Sequence, residues 1–376
     1  MKVCFVVSEL PFFLSHRLDL AETIAKNCEF FLVTDALKAT KGEINNLTKR
    51  GIKLINLRTR SKLFGLRDYL RYTLKLRKII KEISPEYIFF ITLETSMLGA
   101  FIHNFTGGKK SFFVITGLAH ILTSTNLKVL IFRVLNRIGY FFLALKKDHL
   151  FIFQNHDDLE LFTEKRMTFS KKTHVIRGNG VDSNFFKYEE RKPTDEVAFL
   201  FSSRLLVSKG VEEFMSASKI LKERYPNFSF IIAGKFDPSN PETISEELFD
   251  EIVKSEKYIG EISHTKMPDT YKKASVFVLP SYGEGLPKAA LEAGLTGLPL
   301  ILTDVPGCRD CINSNKNGFL IEPRNVKDLT EKMELFIQNP SSILEMGIYS
   351  REYIQQNFGN EVIGKEYLKI IKESKV

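Results

Sequence analysis

The stretch that decides the fold is Ala274-Ser275-Val276-Phe277-Val278-Leu279-Pro280 running into Ser281-Tyr282-Gly283-Glu284-Gly285-Leu286-Pro287-Lys288-Ala289-Ala290-Leu291-Glu292-Ala293. Its first part is an apolar, β-branched run, the pattern of a parallel strand covered on both faces. A Pro/Gly turn follows. A helix pattern then starts at about Pro287 and stops at Gly294 and Gly297. That order puts Glu284 on a loop at the carboxyl end of a sheet strand, and Glu292 about two turns into the helix. Ligands of open α/β sheets bind at such strand ends. The free N–H groups of a helix start favour a phosphate, and glycines let it come close.

Two acids beside a phosphate site make chemical sense once each is given hydroxyls to hold. A carboxylate accepts hydrogen bonds from vicinal diols, so a sugar ring and a ribose suit the pair. The bland alternative is a surface loop and a helix Glu paired with a Lys. The Glu-x7-Glu spacing, with Gly-Leu-Pro after the first Glu, resembles the retaining GT-B glycosyltransferases of family four. The resemblance implies that Glu284 contacts the transferred sugar and Glu292 holds the nucleotide ribose. Gly285, Leu286, Pro287 and Lys288 then line the donor.

Upstream, Val197-Ala198-Phe199-Leu200-Phe201-Ser202 is a strand pattern that delivers Ser203-Arg204-Leu205-Leu206-Val207-Ser208-Lys209-Gly210. Arg204 can fork onto a diphosphate and Lys209 can supply a point charge; the alternative is a plain basic loop. The family carries Arg and Lys at this spacing before Gly for that task, so Arg204, Lys209 and Glu284 form the catalytic set that the resemblance implies. Phe228 to Ala233 is the next strand. Tyr258-Ile259-Gly260-Glu261 resembles the segment whose backbone meets the nucleobase, which assigns Ile259 and Gly260 to the donor. Downstream, Gly307-Cys308-Arg309-Asp310 resembles the family's Gly-x-Arg-Glu with Asp for Glu, and Asn317-Gly318-Phe319-Leu320 matches its Asn-Gly-Phe-Leu turn. The tail from about 326 is helical. The resemblance is most specific between Phe199 and Leu320.

The first half alternates strands (Val3–Val7, Phe30–Thr34, Ile52–Asn56, Tyr87–Thr92, Ser111–Thr116) with helices near 40–50 and 66–83, the pattern of a doubly wound parallel sheet. The expected fold is therefore α/β, a GT-B pair of Rossmann-like domains. The expected boundaries are 1–190 for an acceptor-binding domain, 197–355 for a nucleotide-sugar domain and 356–376 for a helix returning to the first. The charged segment 187–196 is the expected linker. Residues 8–17 are expected to be a loop at a strand end resembling the family's acceptor loop, where His16 either orients an acceptor or simply enters a helix. Thr116-Gly117-Leu118-Ala119-His120 and Phe153-Gln154-Asn155-His156-Asp157-Asp158 resemble members acting on polyprenyl-linked saccharides. His120 is then a donor or acceptor contact, against the common structural role of a lone His. Asp157 or Asp158 is the expected N-cap of the next helix.

Composition bounds the partners. Residues 51–150 hold 17 Lys and Arg against 5 Asp and Glu, a local excess of 12 in a chain of net charge +9, so the remainder is acidic overall. A basic zone confined to one half suits an anionic surface. Within it, Leu127, Leu130, Ile131, Val134, Leu135, Ile138, Phe141, Phe142 and Leu145 recur at helical spacing, with Lys128, Arg133 and Arg137 largely off that face. Core helix and membrane-interface helix both fit. A second helix carries Arg67, Arg71, Lys75, Arg77, Lys78 and Lys81. Met1 to Val7 has the pattern of a strand rather than a signal peptide, and no apolar run spans a bilayer. Four cysteines are too few for a disulfide scaffold, and Cys308-x-x-Cys311 lacks further ligands, so packing is expected there and no metal.

Taken together, the resemblance implies transfer from a UDP-sugar, with an N-acetylhexosamine as donor sugar. The acceptor is a polyprenyl-diphosphate-linked saccharide of bacterial surface polysaccharide (lipopolysaccharide O-antigen, capsule) or glycan assembly. No cofactor is required. The expected place is cytoplasmic, peripheral on the inner face of the membrane, with expected contact through the basic N-terminal domain and no nucleic-acid partner. A nucleotide-sugar epimerase of the same fold and a non-catalytic assembly scaffold are the competing classes.

Overall fold

The computed structural model describes residues 1–37, 39–57, 66–92, 95–96, 99, 110–116, 149–164, 173–190, 196–225, 228–255 and 257–374. Two compact units form: Met1–Gly180 with Asn360–Val376, and Val181–Gly359.

The first unit contains β1 (Lys2–Glu9), α1 (Leu10–His16), α2 (Leu18–Ala25), β2 (Glu29–Asp35), α3 (Lys41–Lys49), β3 (Ile52–Asn56), α4 (Leu66–Ile83), β4 (Tyr87–Ile91), β5 (Lys110–Ile115), β6 (His149–Phe153), α5 (His156–Glu164) and β7 (Thr173–Val175). The strands form one sheet in the order β3-β2-β1-β4-β5-β6-β7. Every pairing in it is parallel. The strands are apolar on both faces because helices cover both, as for Phe89 and Phe90 on β4, which enter separate apolar clusters. Phe89 stacks on Phe112, centroids 4.3 Å apart.

The second unit contains β8 (Val197–Ser202), α6 (Val211–Arg224), β9 (Phe228–Ala233), α7 (Glu246–Lys254), α8 (Met267–Lys272), β10 (Val276–Leu279), α9 (Lys288–Leu295), β11 (Leu300–Thr303), β12 (Gly318–Ile321), α10 (Val326–Gln338) and α11 (Ser341–Phe358). Its sheet order is β12-β11-β10-β8-β9, again parallel throughout. The chain builds outward from β8 in one direction and from β10 in the other. The switch point, where such sheets open a crevice at the carboxyl ends, therefore lies between β8 and β10.

Several expectations are corrected. Residues 8–17 are not a loop: β1 runs directly into α1. Pro11 sits in its first turn, where a missing N–H costs nothing, and Leu10 and Phe13 turn into the core. The chain enters the second unit at Val181, well before segment 187–196. Val181 and Phe186 are already buried in that unit's core. The return comes at Asn360, four residues after the expected 356. There α12 (Asn360–Glu373) sets Ile363, Tyr367, Ile370 and Ile371 among the core residues of the first unit. Gly294 lies within α9 rather than ending it; the helix stops at Leu295, and Gly297 follows with φ 84°. The N-cap of α5 is Asn155, whose side-chain oxygen accepts the Asp158 N–H at 2.7 Å. Gly117, His120 and the amphipathic stretch 126–147 lie outside the described residues.

Candidate functional site

The two strands flanking the switch point deliver the residues that the sequence singles out. After β8 the chain turns at Ser203-Arg204, pins itself with buried Leu205 and Leu206, and makes one 3₁₀ turn over Val207–Lys209. Gly210 follows with φ 72°, and a Cβ there would lie 2.1 Å from the Pro280 carbonyl oxygen. Only glycine allows both the conformation and the approach. The Ser208 carbonyl accepts from the Tyr282 N–H at 2.9 Å and from the Ser281 hydroxyl at 3.1 Å. The loops after β8 and β10 are thus sewn together by backbone.

This sewing puts Lys209 Nζ 2.6 Å from Glu284 Oε1, with both side chains only 15% exposed. Beneath them the turn at Gly307 (φ 78°) passes so close to the backbone of Glu284 and Gly285 that a Cβ would clash with both carbonyls. Arg204 is exposed and has no side-chain partner among the described residues. Pro287 precedes α9 and makes no side-chain cap to it. Leu286 packs against the apolar core of the unit.

Glu292, one helix face further in, is nearly sealed and held by several groups. Its Oε1 lies 2.9 Å from His264 Nε2 and 3.7 Å from Lys288 Nζ; its Oε2 accepts from the Tyr271 hydroxyl at 3.2 Å. Burial, reinforced by the Glu292 charge, pushes the Tyr271 phenol well above its ordinary range, so it stays a neutral donor. His264 and Tyr271 escaped the sequence reading. They lie 28 and 21 residues from Glu292, and no local pattern ties them to it.

Ile259 and Gly260 follow the edge of β9: the Ile259 N–H donates to the Ile232 carbonyl, and the Gly260 carbonyl accepts from the Gly234 N–H. Gly260 has φ 79° and open space where a Cβ would be, and Ile259 is exposed. Cys308 and Cys311 are buried thiols in the core. Burial foremost, and Glu284 next, push the Cys308 thiol up, which keeps it neutral and unreactive. Asn317 is structural: its side chain spans the Asn313 N–H and the Cys311 carbonyl. In the first unit, His16 ends α1, with Nδ1 2.6 Å from the Ser15 hydroxyl and its ring stacked on Phe12.

A cavity of about 470 Å³ in the second unit lies elsewhere, toward the amino ends of β8 and β10, lined by Glu189, Ala198, Lys272, Ser275 and Ile343. Convergent charge rather than enclosed volume marks the switch point. Each acid there already has a cation beside it, so the loop does not repel a phosphate as two bare carboxylates would.

Residues 182–353 match the family described as Glycosyl transferases group 1. The second unit is a group 1 glycosyltransferase domain. Among curated proteins, the chain is 25% identical over 308 residues to the N,N'-diacetylbacillosaminyl-diphospho-undecaprenol alpha-1,3-N-acetylgalactosaminyltransferase of Campylobacter jejuni, covering 78% of this chain and 79% of that one. Among solved structures, the chain superposes on the sucrose-phosphate synthase of Thermosynechococcus elongatus with a TM-score of 0.80 at 15% identity, covering 99% and 98% of the two chains. The Anabaena HepE protein, solved with UDP and glucose, gives 0.77 at 18% identity over 99% of both chains. These likenesses fix the two-unit α/β architecture as that of GT-B glycosyltransferases.

Proposed function

We propose that this glycosyltransferase is a retaining enzyme that moves a sugar, an N-acetylhexosamine, from UDP to a saccharide on a polyprenyl diphosphate. The observation that carries the reading is the convergence of Arg204, the Lys209–Glu284 pair and the uncapped start of α9 at one switch point. Arg204, Lys209 and the helix N–H groups hold the diphosphate. Glu284, released from Lys209 by the arriving phosphate, accepts from hydroxyls of the donor sugar. Glu292 holds the ribose. The backbone at Ile259 and Gly260 meets the base. The C1–O bond to UDP breaks with its electron pair passing to the β-phosphate oxygen. The acceptor hydroxyl bonds to C1 from the same face, and its proton passes to the departing phosphate. Donors fixed where charge develops are usually the largest catalytic contribution.

The activity named for the Campylobacter relative supports a polyprenyl-linked acceptor and an N-acetylhexosamine donor, and the UDP in the Anabaena structure supports the nucleotide. Transfer needs no metal in this reading, because Arg204 and Lys209 supply the positive charge. No helix among the described residues is long and apolar enough to cross a membrane. We place the enzyme peripherally on the inner face of the cytoplasmic membrane. There the exposed Arg71, Lys78 and Lys81 of α4 face anionic headgroups while Tyr72, Leu76 and Ile80 pack inward. The test is UDP release from a panel of UDP-sugars, with and without a polyprenyl-diphosphate saccharide in detergent, with the product anomer read by NMR. Acceptor-dependent release from a UDP-N-acetylhexosamine with retained configuration is expected. Release without acceptor, an inverted product or epimerised donor overturns the reading.

A further inference from the structure

Glu292 is not oriented by its own helix alone. His264 lies just before α8, and its ring lies flat on Phe185, centroids 5.3 Å apart and planes 12° from parallel. Phe186 packs edge-on against the same ring at 5.5 Å and against Tyr271 at 6.0 Å. Both phenylalanines come from the first turn of the second unit, where the Asp182 carboxylate accepts the N–H groups of Asn184 and Phe185. A carboxylate only accepts, so His264 Nε2 carries the proton in its 2.9 Å contact with Glu292. Tyr271 takes the other oxygen.

Resting on the reading of Glu292 as the ribose ligand, we propose that His264 is a positioning residue for the donor nucleotide. Clamped by Phe185 and Phe186, it locks one carboxylate oxygen of Glu292 while Tyr271 locks the other. A carboxylate has about four lone-pair sites; His264 and Tyr271 take two by hydrogen bond, and Lys288 Nζ, 3.7 Å from Oε1, pairs by charge without a hydrogen bond, so two remain for a vicinal diol. Without the lock, the carboxylate must be ordered at the moment of binding, and that cost comes out of affinity. The His264 side chain is 44% exposed although its partner Glu292 is only 6% exposed, so the imidazole spans the boundary between the sealed acid and the open site. A histidine with a purely packing role has no need of that exposed edge or of a ring stacked on an exposed Phe185.

The experiment is calorimetric titration of the full chain with UDP and with 2′-deoxy-UDP. The unsubstituted chain should favour UDP by roughly tenfold or more, the size of a hydrogen bond to a charged group. His264→Ala should remove most of that preference by weakening UDP alone. His264→Gln, whose amide N–H can reach Glu292, should restore it. Phe185→Leu removes the stacking surface without a hydrogen bond and should lose part of the preference; it serves if His264→Ala folds poorly. Equal weakening of both nucleotides, or an unchanged preference in His264→Ala, overturns the proposal. Glu292→Ala separates the two layers. If it abolishes the preference while His264→Ala keeps it, the positioning role falls and the ribose reading stands. If it leaves the preference intact, the ribose reading falls and takes the positioning role with it. No binding of UDP by the unsubstituted chain overturns both.

Discussion

The strands β1 and β8 each open their sheet in chain order and pair with a strand on either side, yet they end differently. β1 runs from Glu9 straight into α1, whose Leu10 and Phe13 turn inward and roof the strand end. His16 is held locally by Ser15, and the buried Arg17 that follows donates to the Tyr367 hydroxyl at 3.1 Å. β8 instead opens into the loop Ser203 to Gly210, which is tied by backbone to the loop after β10 and presents an exposed Arg204 and a Lys209 paired with Glu284. One sheet end is covered largely by apolar side chains, while the other gathers an exposed Arg204 and a Lys209–Glu284 pair. The same α/β scaffold thus offers a roofed end and an open end, and the difference lies in a few loop residues.

The sharpest way to break this contrast is Glu284→Ala. If the open end is the reaction site, kcat should fall by ~10²–10³ while UDP affinity changes little; steady-state kinetics beside calorimetry read both. Unchanged turnover would make the open end no more catalytic than the roofed one. Arg204→Ala comes next: loss of a charge-assisted contact of ~1.5–3 kcal/mol should weaken UDP binding by about tenfold or more, whereas His16→Ala should leave UDP binding unaltered. Gly210→Ala tests the sewing of the two loops. A Cβ pressed against the Pro280 carbonyl at a left-handed φ should cost ~1–3 kcal/mol in a denaturant melt, and Pro11→Ala in the first turn of α1 far less.

Smaller effects sharpen the account of the first unit. Replacing Arg71, Lys78 or Lys81 by Glu should each weaken binding to phosphatidylserine-rich vesicles by ~1 kcal/mol or more, an effect that salt erases; equal partitioning of all variants would move the membrane face elsewhere. The smallest effect concerns His174 on β7, whose pKa burial lowers below its ordinary 6.5 against a weaker upward pull from Glu373. A depressed folded pKa means that stability is complete above the unfolded value and declines as pH falls through the folded one. The first unit should therefore lose stability as pH drops below about 6.5, and His174→Gln should flatten that slope in melts at pH 5 to 8.

The second unit was legible because its signals are local. A strand, a glycine turn and a helix fall within Val276–Leu295, so Glu284 could be placed on the loop and Glu292 on the helix from spacing alone. The first unit was less so. Residues 8–17 carry Pro11 and a Ser-His pair that suit a loop, but Leu10 and Phe13, three apart, find a common apolar surface and turn the segment into a helix. The charged segment 187–196 attracted the boundary, yet the chain had already joined the second core through Val181 and Phe186. A boundary is set by what each residue buries, and composition reports that only on average.

Near-neighbour periodicity and backbone preference are enough to give the alternation of strands and helices, the parallel character of both sheets and the residue types of the loops after β8 and β10. Which groups meet depends on the folded sheets. The 2.6 Å pairing of Lys209 with Glu284 joins residues 75 apart. The hold of His264 and Tyr271 on Glu292, and the stacking of Phe185 on His264, join segments that share no pattern. Such meetings depend on which strands become neighbours and on how closely two backbones pass at Gly210 and Pro280, and those distances exist only once the sheet has formed.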